Sequence, residues 1–372
     1  MRILHILNHT NRLNGHVHAA VDLACAQAKL GHDVCVASSG GDFDALLHRN
    51  KVETVIIDHQ RTARRLLTSI ARLKWHVGAW QADIVHAHMM TSAVLAWPIC
   101  RLAGIPLITT VHNAFEKSAV LMGLGTRVIA VSASVGDSMH KRGIPQSKLR
   151  VVLNGTIGSS RFDNRTTTAT ELASPSILFV GGLHPRKGLP DLFEAFGLAH
   201  EQYPEARLYI VGEGPFGAEY RAEVAQMRCA PAVTFLGAKD DPHGWMVNAD
   251  IFVLPSKADP APLVLSEARE ARCAVIGTNV DGIAELLECG AAGILVPVSD
   301  PQALAAVFCE LLADPVVLEN WKANSQIRIE HMRIDRVAEQ TLDVYVGAFS
   351  SVRAKKNRGM DLALEKTRQP KA

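Results

Sequence analysis

Short aliphatic and β-branched runs recur along the chain, separated by segments of helix length. In the first half they are Arg2–Leu7, Asp33–Ala37, Thr54–Ile57, Asp83–His86, Leu107–Thr110 and Arg127–Val131. In the second half they are Ile177–Val180, Arg207–Val211, Val233–Leu236, Ile251–Leu254, Ala274–Gly277 and Gly293–Val296. Apolar runs this short, with helices between them, predict parallel strands buried on both faces. Two such series predict an α/β protein of two doubly wound domains. Ligands of such sheets bind at the carboxyl ends of the strands, so the loops after strands are where chemistry is expected.

Between the two series, residues 156–174 read TIGSSRFDNRTTTATELAS, polar and without periodicity. They are expected to be a linker between an N-terminal domain, 1–155, and a C-terminal domain, 175–333. A last helix is expected over 334–349. The tail 350–372 has few apolar residues and many cations, and is expected to be disordered. No apolar run reaches the length of a membrane span, and the N-terminal one turns polar at Asn8, too short for a secretion signal. Seven scattered cysteines with no CxxC pair argue against a disulfide framework or zinc site. A cytoplasmic protein is expected, so the Asn-x-Thr triplets at Asn8, Asn154 and Asn164 need no glycan.

Charge changes the picture. Residues 1–155 carry 17 basic and 9 acidic side chains and 12 of the 16 histidines, whereas residues 156–349 carry 15 basic and 26 acidic ones. A basic half suggests an anionic partner, or only segregated surface charge. Residues 59–82, HQRTARRLLTSIARLKWHVGAWQA, contain no acid. Leu66, Ile70, Leu73, Val77 and Trp80 form an apolar stripe at helical spacing. Arg61, Arg64, Arg65, Arg72 and Lys74 give the same helix a basic face. The stripe is expected to pack on the N-terminal sheet, leaving the basic face able to meet an anionic membrane.

Candidate chemistry lies after the strands. The loop after the first run leads to Gly15, with Val17, Ala20, Val21 and Ala24 at helical spacing behind it. It lacks GxGxxG, and no GxxxxGK[ST] occurs anywhere, which argues against a nicotinamide-binding loop and excludes a P-loop ATPase. Gly15 could let backbone approach a ligand or simply shape a turn. His86 and His88 end one strand and His112 another. They could bind metal or substrate, or be hydrogen-bonded structural residues, and zinc would need a third ligand. Gly181-Gly182-Leu183-His184-Pro185-Arg186-Lys187-Gly188 suits a diphosphate, with cations and a helix N-terminus after a strand; the alternative is a solvated basic turn. In PSKADPAPLVLSEA, 255–268, Asp259 sits in a Pro-rich loop and Glu267 on the following helix. One could hold sugar hydroxyls and the other ribose hydroxyls, both by accepting hydrogen bonds, or Glu267 could be an ordinary exposed acid.

GIPLITTVHN, RVIAVSASV, GIPQSKLRVVLNG, ILFVGGLHPRKGL, LYIVGEGP, VTFLG, ADIFVLPS and LVLSEA occur in this order. Together they resemble the GT-B glycosyltransferases of family 4 over about residues 1–349. The resemblance implies a GT-B fold: two facing Rossmann-like domains, an N-terminal acceptor domain and a C-terminal donor domain, with an interdomain cleft and a last helix crossing back. It implies retaining, metal-independent transfer from a nucleotide-diphosphate sugar to a sugar or lipid-linked acceptor, in relatives often for surface polysaccharide. No cofactor, metal or nucleic acid is implied. Gly15 and Gly182 would lie near the donor diphosphate, Lys187 and Arg186 would neutralise it, and His112 would meet the transferred sugar and acceptor. Asp259 and Glu267 take the two acidic positions of the family's Glu-x7-Glu motif, and Gly282 and Glu285 fall in the donor-binding loop beyond it.

Two departures stand out. Gly182 occupies a position where many relatives have Arg, for which Arg186 could substitute. Asp259 is one methylene shorter than the usual Glu, roughly 1.5 Å less reach. They leave open a GT-B protein that binds a sugar nucleotide but does not turn over; a GT-B epimerase or soluble-sugar synthase is the enzymatic alternative. Asp42-Phe43-Asp44, which matches the metal motif of the rival GT-A fold, is expected to be an exposed turn.

Overall fold

The computed structural model describes residues 1–12, 14–57, 63–163 and 171–350, for 63–67 the backbone only. The chain divides into two compact units. The first spans Met1–Val131 and Val135–Val152 and takes in the chain again from Asp335; the second holds Ser132–Ser134 and Leu153–Ile334.

The first unit is built on a seven-stranded parallel sheet. Its strands are β1 Arg2–Ile6, β2 Asp33–Ser38, β3 Glu53–Ile56, β4 Ile84–Ala87, β5 Leu107–Val111, β6 Arg127–Ala130 and β7 Leu149–Val151, in spatial order 3-2-1-4-5-6-7. The second unit has β8 Ser176–Val180, β9 Arg207–Val211, β10 Val233–Gly237, β11 Ile251–Leu254, β12 Ala274–Thr278 and β13 Ile294–Val296, in order 10-9-8-11-12-13. All twelve expected strands are present, within a residue or two at the ends. The edge strand β7 was not expected: Leu149-Arg150-Val151 has only three residues, two of them exposed, and so no apolar run.

The central strands are apolar because helices cover both faces. Ile3, Leu4, Ile84, Val85 and Ile108 in the first sheet, and Ile177, Leu178, Phe252 and Val253 in the second, are fully buried. Each sheet reverses its winding beside its first strand, between β1 and β4 and between β8 and β11. Loops diverge there, and the crevice so formed at the carboxyl ends is the natural ligand position of each sheet. Residues 334–350 are helical. From Asp335 this helix packs in the first unit, where Tyr345 is fully buried.

The basic helix runs Ala63–Ala79. Leu73 and Val77 are buried, Ile70 and Trp80 half-buried, and Arg72, Lys74 and Trp75 exposed. The expectations for Arg61, Arg64, Arg65 and Leu66, and for the tail from 351, lie outside the described residues, as do 164–170 of the linker. In Asp42-Phe43-Asp44, Asp42 and Phe43 form a turn and Asp44 opens a helix. The motif is less exposed than expected, because Phe43 is buried. Its carboxylates accept hydrogen bonds from the backbone of Arg12 and Gly41 and from the Thr10 hydroxyl.

Candidate functional site

In the second unit the loop after β8 is held by its own backbone. Leu183 N–H donates to Glu213 O at 3.0 Å, joining it to the loop after β9. A side chain at Gly214 would collide with the Leu183 carbonyl, so glycine is required for this approach. Pro185–Lys187 make one 3₁₀ turn, and Gly188, in the left-handed conformation at φ +69°, starts helix Leu189–Gln202. A Cβ at Gly188 would strike the Pro255 carbonyl oxygen. Lys257 N–H donates to Arg186 O at 2.7 Å. The cationic loop and the acidic loop after β11 are thus one assembly.

That assembly brings two predicted residues into contact. Lys187 Nζ forms an ion pair with Asp259 Oδ2, both side chains nearly buried. Ser256 Oγ donates to the same carboxylate oxygen at 3.3 Å. The Asp259 backbone N–H donates to Asp281 Oδ2 at 2.9 Å, and Gly282 N–H to Asp259 O at 3.3 Å. Gly282 lies so close to Pro260 that any Cβ would meet its carbonyl oxygen, which is why this position is glycine. The short Asp259 therefore reaches Lys187 itself. Arg186 is exposed, and Gly182 is open: the nearest atom to a Cβ there is Glu213 O at 3.9 Å.

Glu267 is buried, 3.6 Å from Arg161. It is not a solvated acid, and its partner comes from the stretch expected to be only a linker. Its helix, Leu263–Glu270, is anchored by the fully buried Arg269, which donates to the carbonyls of Ser325, Leu286 and Ile327. Loss of water around its guanidinium lowers the Arg269 pKa, opposed by Glu288 and Glu330. Glu285 points elsewhere, accepting the backbone N–H groups of Ala133 and Ser134 at 2.9 and 3.1 Å. Sequence reasoning missed Arg161, Asp281 and Arg269, since their partners lie 106, 22 and up to 58 residues away along the chain.

In the first unit the carboxyl end of the sheet is lined by histidines. His88 Nδ1 is 3.1 Å from His112 Nε2, and His5 Nδ1 is 2.9 Å from His88 Nε2. His86 stands beside them, its ring centroid 4.2 Å from that of His88. Burial pushes His5 down to about 4 and, with His16 adding to it, His112 to about 3. His86 and His88 lie well below the usual histidine range for the same reason. All four rings are neutral at pH 7. Gly15 opens helix Gly15–Lys29 with no atom within 4 Å of a would-be Cβ, so the space beside it is free.

His5, His86 and His88 place ring nitrogens within 4.8 Å of one another, a spacing that could hold a metal ion. The donor set fits poorly. Each ring nitrogen already has a hydrogen-bond partner among His88, Gln27, Tyr345, Thr110, His5 and His112. The group has no carboxylate to balance a buried dication, whose desolvation is costly.

Two parallel sheets wound 3-2-1-4-5-6, with a cationic, glycine-shaped loop after the first strand of the second, define the class of GT-B glycosyltransferases. Residues 13–156 match the family described as Glycosyltransferase Family 4, and residues 174–314 match Glycosyl transferases group 1. The chain belongs to this family and is a glycosyltransferase. It is 26% identical over 291 residues to the glycogen synthase of Mycobacterium tuberculosis, covering 73% of this chain and 70% of that one. It is also 26% identical over 304 residues to the phosphatidyl-myo-inositol mannosyltransferase of the same species, covering 74% and 79%. In fold it resembles Anabaena Alr3699/HepE, a structure containing UDP and glucose, with a TM-score of 0.78 at 19% identity, covering 92% of this chain and 98% of that one.

Proposed function

We propose that this glycosyltransferase takes its sugar from a nucleoside diphosphate donor, retains the anomeric configuration and needs no metal ion. The observation that carries the reading is Lys187 paired with Asp259 on two loops that are themselves hydrogen-bonded. A fixed ammonium beside a helix N-terminus stabilises a departing diphosphate, which is the work a metal does elsewhere. Arg186 adds a second cation. In the transfer, the bond from the anomeric carbon to the diphosphate oxygen breaks and a bond from the acceptor oxygen forms on the same face. The acceptor proton passes to the leaving diphosphate, so no protein nucleophile is required. Glu267 and Asp259 hold hydroxyls of the donor, and His112 serves the sugar and acceptor as a neutral imidazole. The UDP and glucose in the Anabaena structure support a nucleotide-sugar donor.

The acceptor is read as lipid-linked, in the assembly of a bacterial surface polysaccharide at the inner face of the cell membrane. No single helix among the described residues is long and apolar enough to cross a membrane. Support for docking comes from the exposed Trp75, next to Lys74 and three residues after Arg72, and from helix Met90–Ala103, where Leu102 and Trp97 are exposed and Arg101 lies over the Trp97 ring. Indole rings and cations suit a headgroup layer, each cation contributing about 1 kcal/mol near an anionic surface.

A thermal-shift panel of UDP-, GDP- and ADP-sugars identifies the donor, since the bound one raises the melting temperature by mass action. Turnover of that donor should persist in EDTA; loss in EDTA restored by added metal overturns the metal-free mechanism. Cosedimentation with vesicles containing anionic lipid should fall as salt rises. Protein that stays in the supernatant at low salt makes a soluble acceptor the better reading.

A further inference from the structure

The histidines of the first unit form a chain with a direction. A carboxamide has an oxygen that only accepts and a nitrogen that only donates. Gln27 is buried, with Oε1 2.8 Å from His5 Nε2 and Nε2 3.2 Å from the Tyr345 hydroxyl. Facing that oxygen, His5 must carry its proton on Nε2. A neutral ring has one such proton, so His5 Nδ1 accepts, and His88 Nε2 at 2.9 Å must donate to it. His88 Nδ1 then accepts from His112 Nε2 at 3.1 Å. On the other branch, the Tyr345 hydroxyl accepts from Gln27 and donates to His86 Nδ1 at 2.6 Å. His86 Nε2–H then donates to the Thr110 hydroxyl at 2.7 Å. Every bond has one donor and one acceptor. Turning the amide over would reverse all of them and move the His112 proton to Nδ1.

We propose that Gln27, held by Tyr345 from the last helix, is a positioning residue that sets His112 as the Nε2–H tautomer through His5 and His88. The depressed basicity of these rings supports the count, because only neutral imidazoles have a direction to transmit. His112 Nδ1, outside the chain, is left as an acceptor. Resting on the proposed role of His112, this means that the protein accepts a hydrogen bond from a substrate hydroxyl there and does not donate one. A hydroxyl of the transferred sugar then directs its proton at His112, while the acceptor hydroxyl keeps its proton for the leaving diphosphate.

The test is long-range ¹H–¹⁵N NMR of histidine-labelled protein at pH 7, which reads tautomers without reference to activity. His112 should be a single Nε2–H tautomer in the wild type and a mixture in Gln27→Met. Gln27→Glu should restore Nε2–H, because a carboxylate can only accept from His5. Tyr345→Phe removes the hydroxyl that accepts from the Gln27 amide nitrogen, should also give a mixture, and carries the test if Gln27→Met does not fold. With the donor found in the thermal panel, kcat of Gln27→Met should drop on the order of 10-fold, as for loss of a histidine-orienting partner, with KM for the donor within twofold and recovery in Gln27→Glu. A wild-type His112 protonated on Nδ1, or an unchanged tautomer in Gln27→Met or Tyr345→Phe, overturns the proposal. Stoichiometric zinc shifting the signals of His5, His86 and His88 would also overturn it. Correct tautomers with kcat unchanged in Gln27→Met would instead count against the proposed role of His112 alone.

Discussion

The two units share a winding order and differ in what they bury at the ends of their strands. The first buries neutral rings: His5, His86 and His88 exchange hydrogen bonds with Gln27, Tyr345 and Thr110, and no carboxylate enters the group. The second buries charge there, Lys187 against Asp259 and Arg161 near Glu267, and also Arg269 against three carbonyls at the far end of helix Leu263–Glu270. The topology supplies a crevice in both cases. The residues there decide whether it handles directional hydrogen bonds or stabilises an anion. Neutral networks are sensitive to protonation, and buried charge is sensitive to loss of its partner.

The largest expected effect is on the buried charge. Arg269→Leu removes the donor to three carbonyls, two of them buried, and should cost about 3 kcal/mol or more of stability, read as the urea midpoint. A change below 1 kcal/mol would mean that those carbonyls find other donors. Lys187→Ala should lower kcat on the order of 100-fold, about 2.7 kcal/mol, as expected for loss of one preorganised charge at a leaving group. It should leave the fold intact by circular dichroism. Turnover within threefold of wild type would remove Lys187 from the chemistry.

Acid should act chiefly on the first unit. His5 titrates near 4 when folded but near 6.5 when unfolded, so the unfolded chain binds the extra proton between these values. The stability His5 contributes is complete above pH 6.5 and declines by about 1.4 kcal/mol per pH unit as pH falls toward 4. His86 and His88 act in the same direction. Melting curves between pH 7.5 and 5.0 should show the loss, and replacing Gln27 should alter it, whereas Arg269→Leu should not.

The smallest effect concerns the altered phosphate loop. Gly182 has open space and no positive φ, so Gly182→Arg should be tolerated, with a melting temperature within a few degrees of wild type. If Arg186 replaces the missing cation, Arg186→Ala should reduce kcat about 10-fold, and adding Gly182→Arg should recover most of it. An Arg186→Ala rate within twofold of wild type would assign that role to Lys187 alone.

Sequence pattern by itself determined the fold class and twelve of the thirteen strands among the described residues, because a parallel strand buried on both faces must be apolar along its whole length. It also marked the loops that carry Gly182, Arg186, Lys187 and Asp259, because glycine and charge after a strand are local signals. The edge strand Leu149–Val151 escaped it, being half exposed and too short to show a period. Only tertiary structure decided the partnerships. Asp259 meets Lys187 across 72 residues, and Gln27 meets Tyr345 across 318. Glu267 was open to reading as a solvated acid until Arg161 stood beside it, and the histidines were isolated residues until the sheet stacked them. Hydrophobic periodicity is written along the chain because each element must bury its own face. A buried polar group needs one particular partner, and which residue supplies it depends on how distant segments are brought together.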